Sequence, residues 1–72
     1  MRSRKDKALL KAFGERVRKR RQELTYSQEG LAEYADLHRT YIADIERGSR
    51  NVALINIVRI AKALKISPRE LF

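Results

Sequence analysis

The sequence contains no cysteine, a single histidine and a single proline. Without cysteine the chain can form neither disulfides nor thiolate metal sites, and His38 alone cannot build an imidazole cluster. A structural zinc site is therefore excluded, and neither a metal nor a cofactor is expected. No apolar run approaches the roughly 20 residues that span a bilayer, and no signal-peptide hydrophobic stretch follows the charged N-terminus. We therefore expect a cytoplasmic protein with no membrane partner.

Glycine occurs only three times, and β-branched residues never alternate with polar ones as they do in half-buried strands. With 72 residues the chain has room for one domain and one small core. We expect a single all-α domain over residues 1–72, with residues 1–5 as a mobile tail. The sequence has no paired carboxylates, no nucleophile with its base and no glycine-rich phosphate loop. Neither an enzyme nor a small-molecule substrate is expected.

Positive charge dominates, since 17 Lys and Arg residues against 9 Asp and Glu residues give a net charge of +8. This charge is segmental. Residues 1–21 hold ten basic and two acidic residues, residues 22–38 hold four acidic residues and no Lys or Arg, and residues 39–72 hold seven basic and three acidic residues. Such a balance favours a polyanionic partner, although a basic surface can also serve only to keep a small protein soluble. The choice between these two interpretations rests on the motifs.

Apolar residues at helical spacing predict five helices. The first helix, over about residues 6–23, has an inner stripe formed by Leu10, Phe13, Val17 and Leu24. Ser27 can accept a hydrogen bond from a backbone N–H and begin a second helix over Gln28–Ala35. Tyr26 and Leu31 flank this start as a hydrophobic staple.

A tight turn over residues 36–38 leads into a third helix, Arg39–Arg47, which stops at Gly48. Two short helices joined by such a turn have helix-turn-helix geometry, in which the second helix can lie in a major groove of DNA. Helical hairpins are common in small domains, so the spacing alone leaves DNA binding open. With Ile42 and Ile45 turned inward, the outward side chains near the start of the third helix are Arg39, Thr40, Ala43 and Asp44.

Two further helical segments follow. A fourth helix over about residues 53–64 has an inner stripe formed by Leu54, Ile57, Val58, Ala61 and Leu64. The segment 67–70 has the pattern of a capping box with proline at the first helical position, which predicts a short fifth helix. A core this small gains from a partner subunit. We expect a dimer interface formed by the apolar residues Ile55, Leu71 and Phe72.

Longer motifs resemble those of the lambda-repressor-like helix-turn-helix regulators, also called the Xre family. The matching segments are Ser27-Gln28-Glu29, Leu31-Ala32, Ile42-x-x-Ile45-Glu46-Arg47-Gly48, Ile60-Ala61-Lys62-Ala63-Leu64 and Glu70-Leu71-Phe72. Within this family, residues 37–42 and 45–51 are most similar to the controller proteins of restriction–modification systems. The resemblance covers nearly the whole chain. It implies a five-helix lambda-repressor-like fold and a regulator that binds a near-palindromic operator as a dimer.

The resemblance also implies which residues contact DNA. The residues expected to read bases are Arg39, Thr40, Ala43 and Asp44. An arginine can make two hydrogen bonds with guanine, Ala43 can contact a thymine methyl group, and Asp44 would either accept from cytosine or repel phosphate. The residues expected at the sugar-phosphate backbone are Gln28, Tyr41, Arg47, Ser49, Arg50 and Asn51. Alternatively, Tyr41 only covers the apolar edge of the third helix, and Arg47 only satisfies the helix dipole.

Three further positions have structural interpretations. By the same resemblance Arg21 and Glu46 form a buried or half-buried ion pair between the first and third helices, although the basic run Arg18–Arg21 could instead face phosphate. The basic run over residues 18–20 is expected to be a solvated helix face. Thr25 stands where a left-handed glycine commonly ends the first helix. Because a β-branched residue is strained there, a different turn is expected.

The leading hypothesis is therefore a dimeric transcriptional regulator that binds double-stranded DNA at the nucleoid and controls restriction–modification genes. RNA polymerase is a further candidate partner. The alternative is a protein-interaction module, such as an antitoxin or a bridging coactivator, that keeps the helix-turn-helix only as a scaffold. Such a module would not require the exposed face formed by Arg39 and Thr40 or the basic loop that follows the third helix.

Overall fold

A computed structural model of the protein describes residues 3–72. Over these residues the chain forms four α-helices and one 3-10 turn, with no strand. The helices are α1 (Arg4–Glu23), α2 (Gln28–Ala35), α3 (Arg39–Arg47) and α4 (Leu54–Ala63), and the turn is Pro68–Leu71. The predicted bounds of the second and third helices are confirmed.

The first helix begins earlier than predicted. Ser3 is the N-cap residue: its hydroxyl accepts from the Asp6 N–H at 3.1 Å, and the Asp6 carboxylate accepts from the Ser3 N–H at 3.3 Å. This reciprocal pair is a capping box, which satisfies two backbone donors at a helix start. Residues 3–5 therefore belong to the start of α1 and not to a tail. The remainder of the predicted tail, residues 1 and 2, lies outside the described residues.

The predicted fifth helix is wrong, because the segment forms only a single 3-10 turn. Its backbone N–H groups bond three residues back, Glu70 to Ser67 and Phe72 to Arg69. The Ser67 N–H donates to the Glu70 carboxylate at 2.8 Å, as the capping pattern predicts. The tighter coil turns Leu71 into the core, where it is 1% exposed.

Left-handed residues follow all four helices: Thr25, Asp36, Gly48 and Lys65. At the end of α1, the Thr25 N–H donates to the carbonyl of Gln22 and the Tyr26 N–H donates to that of Arg21. These two bonds form a Schellman motif, which satisfies the last carbonyl groups of the helix. The expectation of a different turn at Thr25 is therefore wrong, because the hydrogen bonds hold this residue at φ 59°.

The core lies where the four helices meet, and every element contributes to it. Its largest fully buried side chains are Val17, Leu31, Ile42, Ile45, Ile60, Leu64 and Leu71. The helix α1 packs against α3, α2 packs against both α3 and α4, and the final turn packs against α4 and α1. One face of α3 therefore packs against α1 and α2, and its opposite face is directed to solvent.

Candidate nucleic-acid interface

The outer face of α3 begins with two exposed polar side chains, Arg39 and Thr40. Ala43 and Asp44, one turn further along, are half-buried. The N-cap residue is His38, whose side chain makes no capping hydrogen bond. The first two side chains of α3, Arg39 and Thr40, are therefore open to solvent.

A cleft of about 590 Å³ runs between this face and α1. Its lining residues are Arg18, Arg21, Gln28, Arg39, Thr40, Ala43, Asp44, Glu46 and Arg47. The cleft brings together all four residues expected to read bases and two of those expected at the DNA backbone. It also includes Arg18, which was expected to lie on a solvated face. The signal that could have found Arg18 is its position one turn before Arg21 on α1.

A buried ion pair forms the floor of the cleft. Arg21 donates to the Glu46 carboxylate twice, from Nε at 2.7 Å and from Nη2 at 3.0 Å, and from Nη1 to the Tyr26 carbonyl at 2.9 Å. Glu46 is 8% exposed. The hydrogen bond to Glu46 raises the pKa of Arg21 above its ordinary value, outweighing the partial burial that lowers it. The guanidinium of Arg21 is thus used within the protein and joins α1 to α3.

Gln28 completes this network from the first position of α2. Its Nε2 donates to Glu46 Oε1 at 3.1 Å, so the side chain faces the ion pair. The first N–H groups of a helix have no acceptor within the helix, and the Ser27 hydroxyl accepts only that of Gly30, at 2.9 Å. The backbone N–H of Gln28 is therefore positioned at the positive end of α2, where anions are favoured.

Asp44 is paired within the protein rather than directed at a ligand. Its carboxylate accepts from Arg47, and from Arg50 Nη2 at 3.2 Å. The Ser49 hydroxyl donates to the Asp44 carbonyl at 3.1 Å. This residue therefore ties the loop after α3 to the helix and holds two arginines beside the cleft.

Tyr41 contacts both the loop and α4. Its ring is half-buried against the core, its hydroxyl accepts from Asn56 Nδ2 at 3.1 Å, and the Arg50 guanidinium lies 5.0 Å from its ring centre. Tyr41 can therefore cover the apolar edge of α3 and at the same time face the basic loop. Asn56 has no role in the sequence-based prediction, since helical spacing does not show that its amide reaches Tyr41.

Four of the six residues expected at the DNA backbone do not line the cleft: Tyr41, Ser49, Arg50 and Asn51. Asn51 borders a separate hollow of about 240 Å³ next to Leu9 and Leu10 of α1. Arg20 was expected to be solvated, but its Nε donates to the Leu64 carbonyl at 3.0 Å and so caps the end of α4. Its role is thus internal, unlike that of Arg18.

The surface expected to form a dimer interface needs one correction. Ile55 is 67% exposed and Phe72 is 57% exposed, but Leu71 is buried in the core of its own protomer. Leu71 is the one residue of the final turn that faces the core, so it cannot contact a partner. Two neighbours on α4, Leu54 and Val58, were expected on the inner stripe of that helix, but this expectation is wrong because they are 76% and 48% exposed.

No helix within residues 3–72 is both long and apolar enough to cross a membrane. The same residues contain no group of His, Asp and Glu side chains that could hold a metal ion. What the described structure does contain is a helix-turn-helix with an arginine-lined cleft beside its second helix. This arrangement defines the class of helix-turn-helix DNA-binding domains.

Comparison with known proteins gives the family. The helix-turn-helix family model matches residues 17–71. Control protein C.BamHI of Bacillus amyloliquefaciens is 57% identical over 60 residues, which cover 82% of this chain and 74% of that protein. Control protein C.MunI of Mycoplasma sp is 48% identical over 61 residues, which cover 83% and 82%. The crystal structure of the restriction–modification controller protein C.AhdI from Aeromonas hydrophila matches with a TM-score of 0.89 and 51% identity over 90% of this chain and 98% of that chain.

The chain belongs to the lambda-repressor-like, or Xre-like, helix-turn-helix family, and it is similar to restriction–modification controller proteins. It is a DNA-binding regulator of transcription and not an enzyme. The resemblance predicted from its motifs is confirmed.

Proposed function

We propose that this protein is the controller of a restriction–modification system and binds a near-palindromic operator as a dimer. The observation that carries the proposal is the exposed pair Arg39 and Thr40 at the start of α3, beside a cleft lined by further arginines. The net charge of +8 adds a general attraction for DNA. Similarity to C.BamHI, C.MunI and C.AhdI, which are named as control or controller proteins, supports the choice of target genes.

Base recognition is assigned to the front of α3. Only the first turns of a helix in the major groove come close to base edges. Arg39 can donate two hydrogen bonds to guanine O6 and N7, Thr40 can bond to either type of base edge, and Ala43 can contact a thymine methyl group. Asp44 reaches a cytosine only by leaving Arg47 and Arg50, so we assign it chiefly to holding the loop.

Contacts with the DNA backbone are assigned to the residues around this reading face. The backbone N–H of Gln28 suits a phosphate, as any helix start does. The side chains of α3 and of the loop after it that we assign to phosphate are Tyr41, Arg47, Ser49 and Arg50, with Asn51 at the edge of the surface. We add Arg18, because it lines the same cleft from α1. Such contacts set the register of the protein on DNA without reading sequence.

The dimer is assigned to the exposed apolar side chains of α4 and the final turn: Leu54, Ile55, Val58 and Phe72. Exposed apolar side chains that cluster on one element favour a protein interface. A two-fold dimer would place its two α3 helices in successive major grooves, about 10 base pairs apart or a small multiple of that.

Regulation then depends on protein concentration and on operator position. Occupancy rises steeply with concentration because dimers must form before they bind. Repression or activation depends on where the operator lies relative to the promoter. RNA polymerase is the further partner when the two sites adjoin. The protein is expected to act at the nucleoid, where its operator lies.

The direct test is binding to the DNA upstream of its own gene, compared with random DNA at several salt concentrations. The proposal predicts a preference for the upstream DNA of about a thousandfold or more at physiological salt. It also predicts a linear fall of log affinity with log salt concentration. Equal affinity for both DNAs at every salt concentration would overturn the proposal.

A further inference from the structure

Arg50 lies in the irregular loop after α3, yet two groups hold its exposed side chain. On one side the Asp44 carboxylate lies 3.2 Å from Nη2. On the other side the guanidinium lies 5.0 Å from the centre of the Tyr41 ring, within the range of a cation–π interaction. Both contacts come from α3, so the orientation of a loop arginine depends on the helix before it.

The Tyr41 side chain is in turn held by a hydrogen bond from α4. Asn56, in the first turn of α4, donates from Nδ2 to the Tyr41 hydroxyl at 3.1 Å. This is the only side-chain hydrogen bond that joins α4 to α3 within residues 3–72. The Asn56 amide thus orients the Tyr41 ring, and the ring contacts the Arg50 guanidinium.

We propose that Asn56 is a positioning residue for DNA binding, which acts through Tyr41 to hold Arg50 in the orientation that meets phosphate. The inference rests on the proposed function, in which Arg50 contacts the DNA backbone. Ordering a long side chain during association weakens binding by about two- to tenfold. An arginine that is already oriented in the unbound protein avoids much of that loss.

A double-mutant cycle tests this assignment. We expect Arg50→Ala to weaken binding of operator and random DNA by roughly tenfold or more, since a charged hydrogen bond is lost. Asn56→Ala should weaken both by about threefold. In the Arg50→Ala background, Asn56→Ala should lose most of its effect, since the arginine that it positions is gone and only the contact of Tyr41 itself with phosphate remains. The same loss of effect is expected in the Tyr41→Phe background, which lacks the hydroxyl.

Binding is measured by fluorescence anisotropy at a temperature where circular dichroism shows every variant to be folded. Gln22→Ala, which removes an exposed amide from α1, is the matched control and should bind like the wild type. A merely structural role of Asn56 would persist when Arg50 is absent. The proposal is therefore overturned if Asn56→Ala weakens binding equally in both backgrounds, or if it has no effect while Arg50→Ala does. If Arg50→Ala itself binds like the wild type, the proposed backbone contact fails and takes this inference with it.

Discussion

Gly14 lies where α1 crosses the end of α3, and the crossing leaves no space for a side chain. A Cβ atom at this position would lie 2.1 Å from the carbonyl oxygen of Ile45 and 2.9 Å from that of Glu46. Both oxygens belong to the backbone, so they cannot move aside as the tip of a flexible side chain can. This glycine therefore determines how closely α3 approaches α1.

Gly14→Ala should lower the free energy of unfolding by about 3 kcal/mol, because the two helices must separate to admit a methyl group. Thermal unfolding followed by circular dichroism measures the change. Gly30→Ala is the matched control, since its Cβ would meet only the Ser27 hydroxyl oxygen, at 3.2 Å. That variant should stay within about 1 kcal/mol of the wild type, because better helix propensity is offset by the close approach to the capping hydroxyl of Ser27. Equal melting temperatures for Gly14→Ala and wild type would contradict the tight crossing.

Thr25 should tolerate, and benefit from, replacement by glycine. Its φ is 59°, a conformation that costs an L-residue about 1–2 kcal/mol. Because glycine also loses more freedom on folding, Thr25→Gly should raise the free energy of unfolding by only about 0.5–1 kcal/mol, measured by urea denaturation. Thr25→Ala keeps the Cβ atom and should gain less. A less stable Thr25→Gly protein would mean that the Thr25 hydroxyl bond to the Leu24 carbonyl, at 2.6 Å, outweighs the strain.

At the scale of elements, the helix ends were predictable because their signals are local. Ser27 caps α2 through the Gly30 N–H, and Gly48 ends α3 with φ 76°. The start of α1 has a local signal as well, Ser3 and Asp6 three residues apart, which the predicted start at residue 6 passes over. Local hydrogen bonding thus accounts for most of the secondary structure.

Contacts between elements were not predictable in the same way. Helical spacing shows which residues share a face but not which neighbour that face meets. Arg18 and Arg20 are both basic residues of α1, yet one lines the cleft and the other donates to the Leu64 carbonyl. Likewise only the packed structure shows that Leu71 turns inward and Phe72 outward. The sequence pattern of α3 was enough to predict the candidate site. The side chains of other helices that support this site could be identified only from the folded structure.

The ion pair of Arg21 and Glu46 joins α1 to α3. Arg21→Ala should lower the free energy of unfolding by about 3 kcal/mol, because it leaves the buried Glu46 carboxylate without its cation. Sequence preference should change little. Lys19→Ala, on the exposed face of α1, should stay within about 0.5 kcal/mol of the wild type. A protein that melts like the wild type but binds all DNA more weakly would identify Arg21 as a phosphate contact instead.

The stability that the Arg21–Glu46 ion pair contributes depends on pH in a defined way. The pKa of Arg21 is raised in the folded state. The contribution of the ion pair to folding stability is therefore complete below the ordinary pKa of arginine, and it is lost only as the pH rises through the folded pKa. The difference in melting temperature between Arg21→Ala and wild type should therefore stay constant from about pH 7 to 9.

At the scale of the whole molecule, the exposed apolar surface of α4 predicts self-association. Ile55→Lys should shift the protein from dimer to monomer, because a charge would be buried at the interface. Sedimentation equilibrium measures the shift, with Leu9→Lys as a control at an exposed leucine of α1. A wild-type protein that is monomeric at concentrations where it binds a two-site operator tightly would contradict this interface.

In the proposed complex the front of α3 reads bases while the surrounding arginines hold the DNA backbone. Arg39 provides the direct test, and Arg59, an exposed arginine on α4 outside the recognition cleft, provides the matched control. Both substitutions to alanine remove one positive charge, so any difference between them comes from position.

The measurement is competition binding of wild type, Arg39→Ala and Arg59→Ala to an operator series in which each base pair is replaced in turn. Arg39→Ala should lose about 1–3 kcal/mol of discrimination at one base pair in each half-site and keep it elsewhere. Arg59→Ala should keep the wild-type preference at every position. If Arg39→Ala keeps the full wild-type preference and only binds every DNA more weakly, α3 does not read bases through this residue and the proposed base recognition fails.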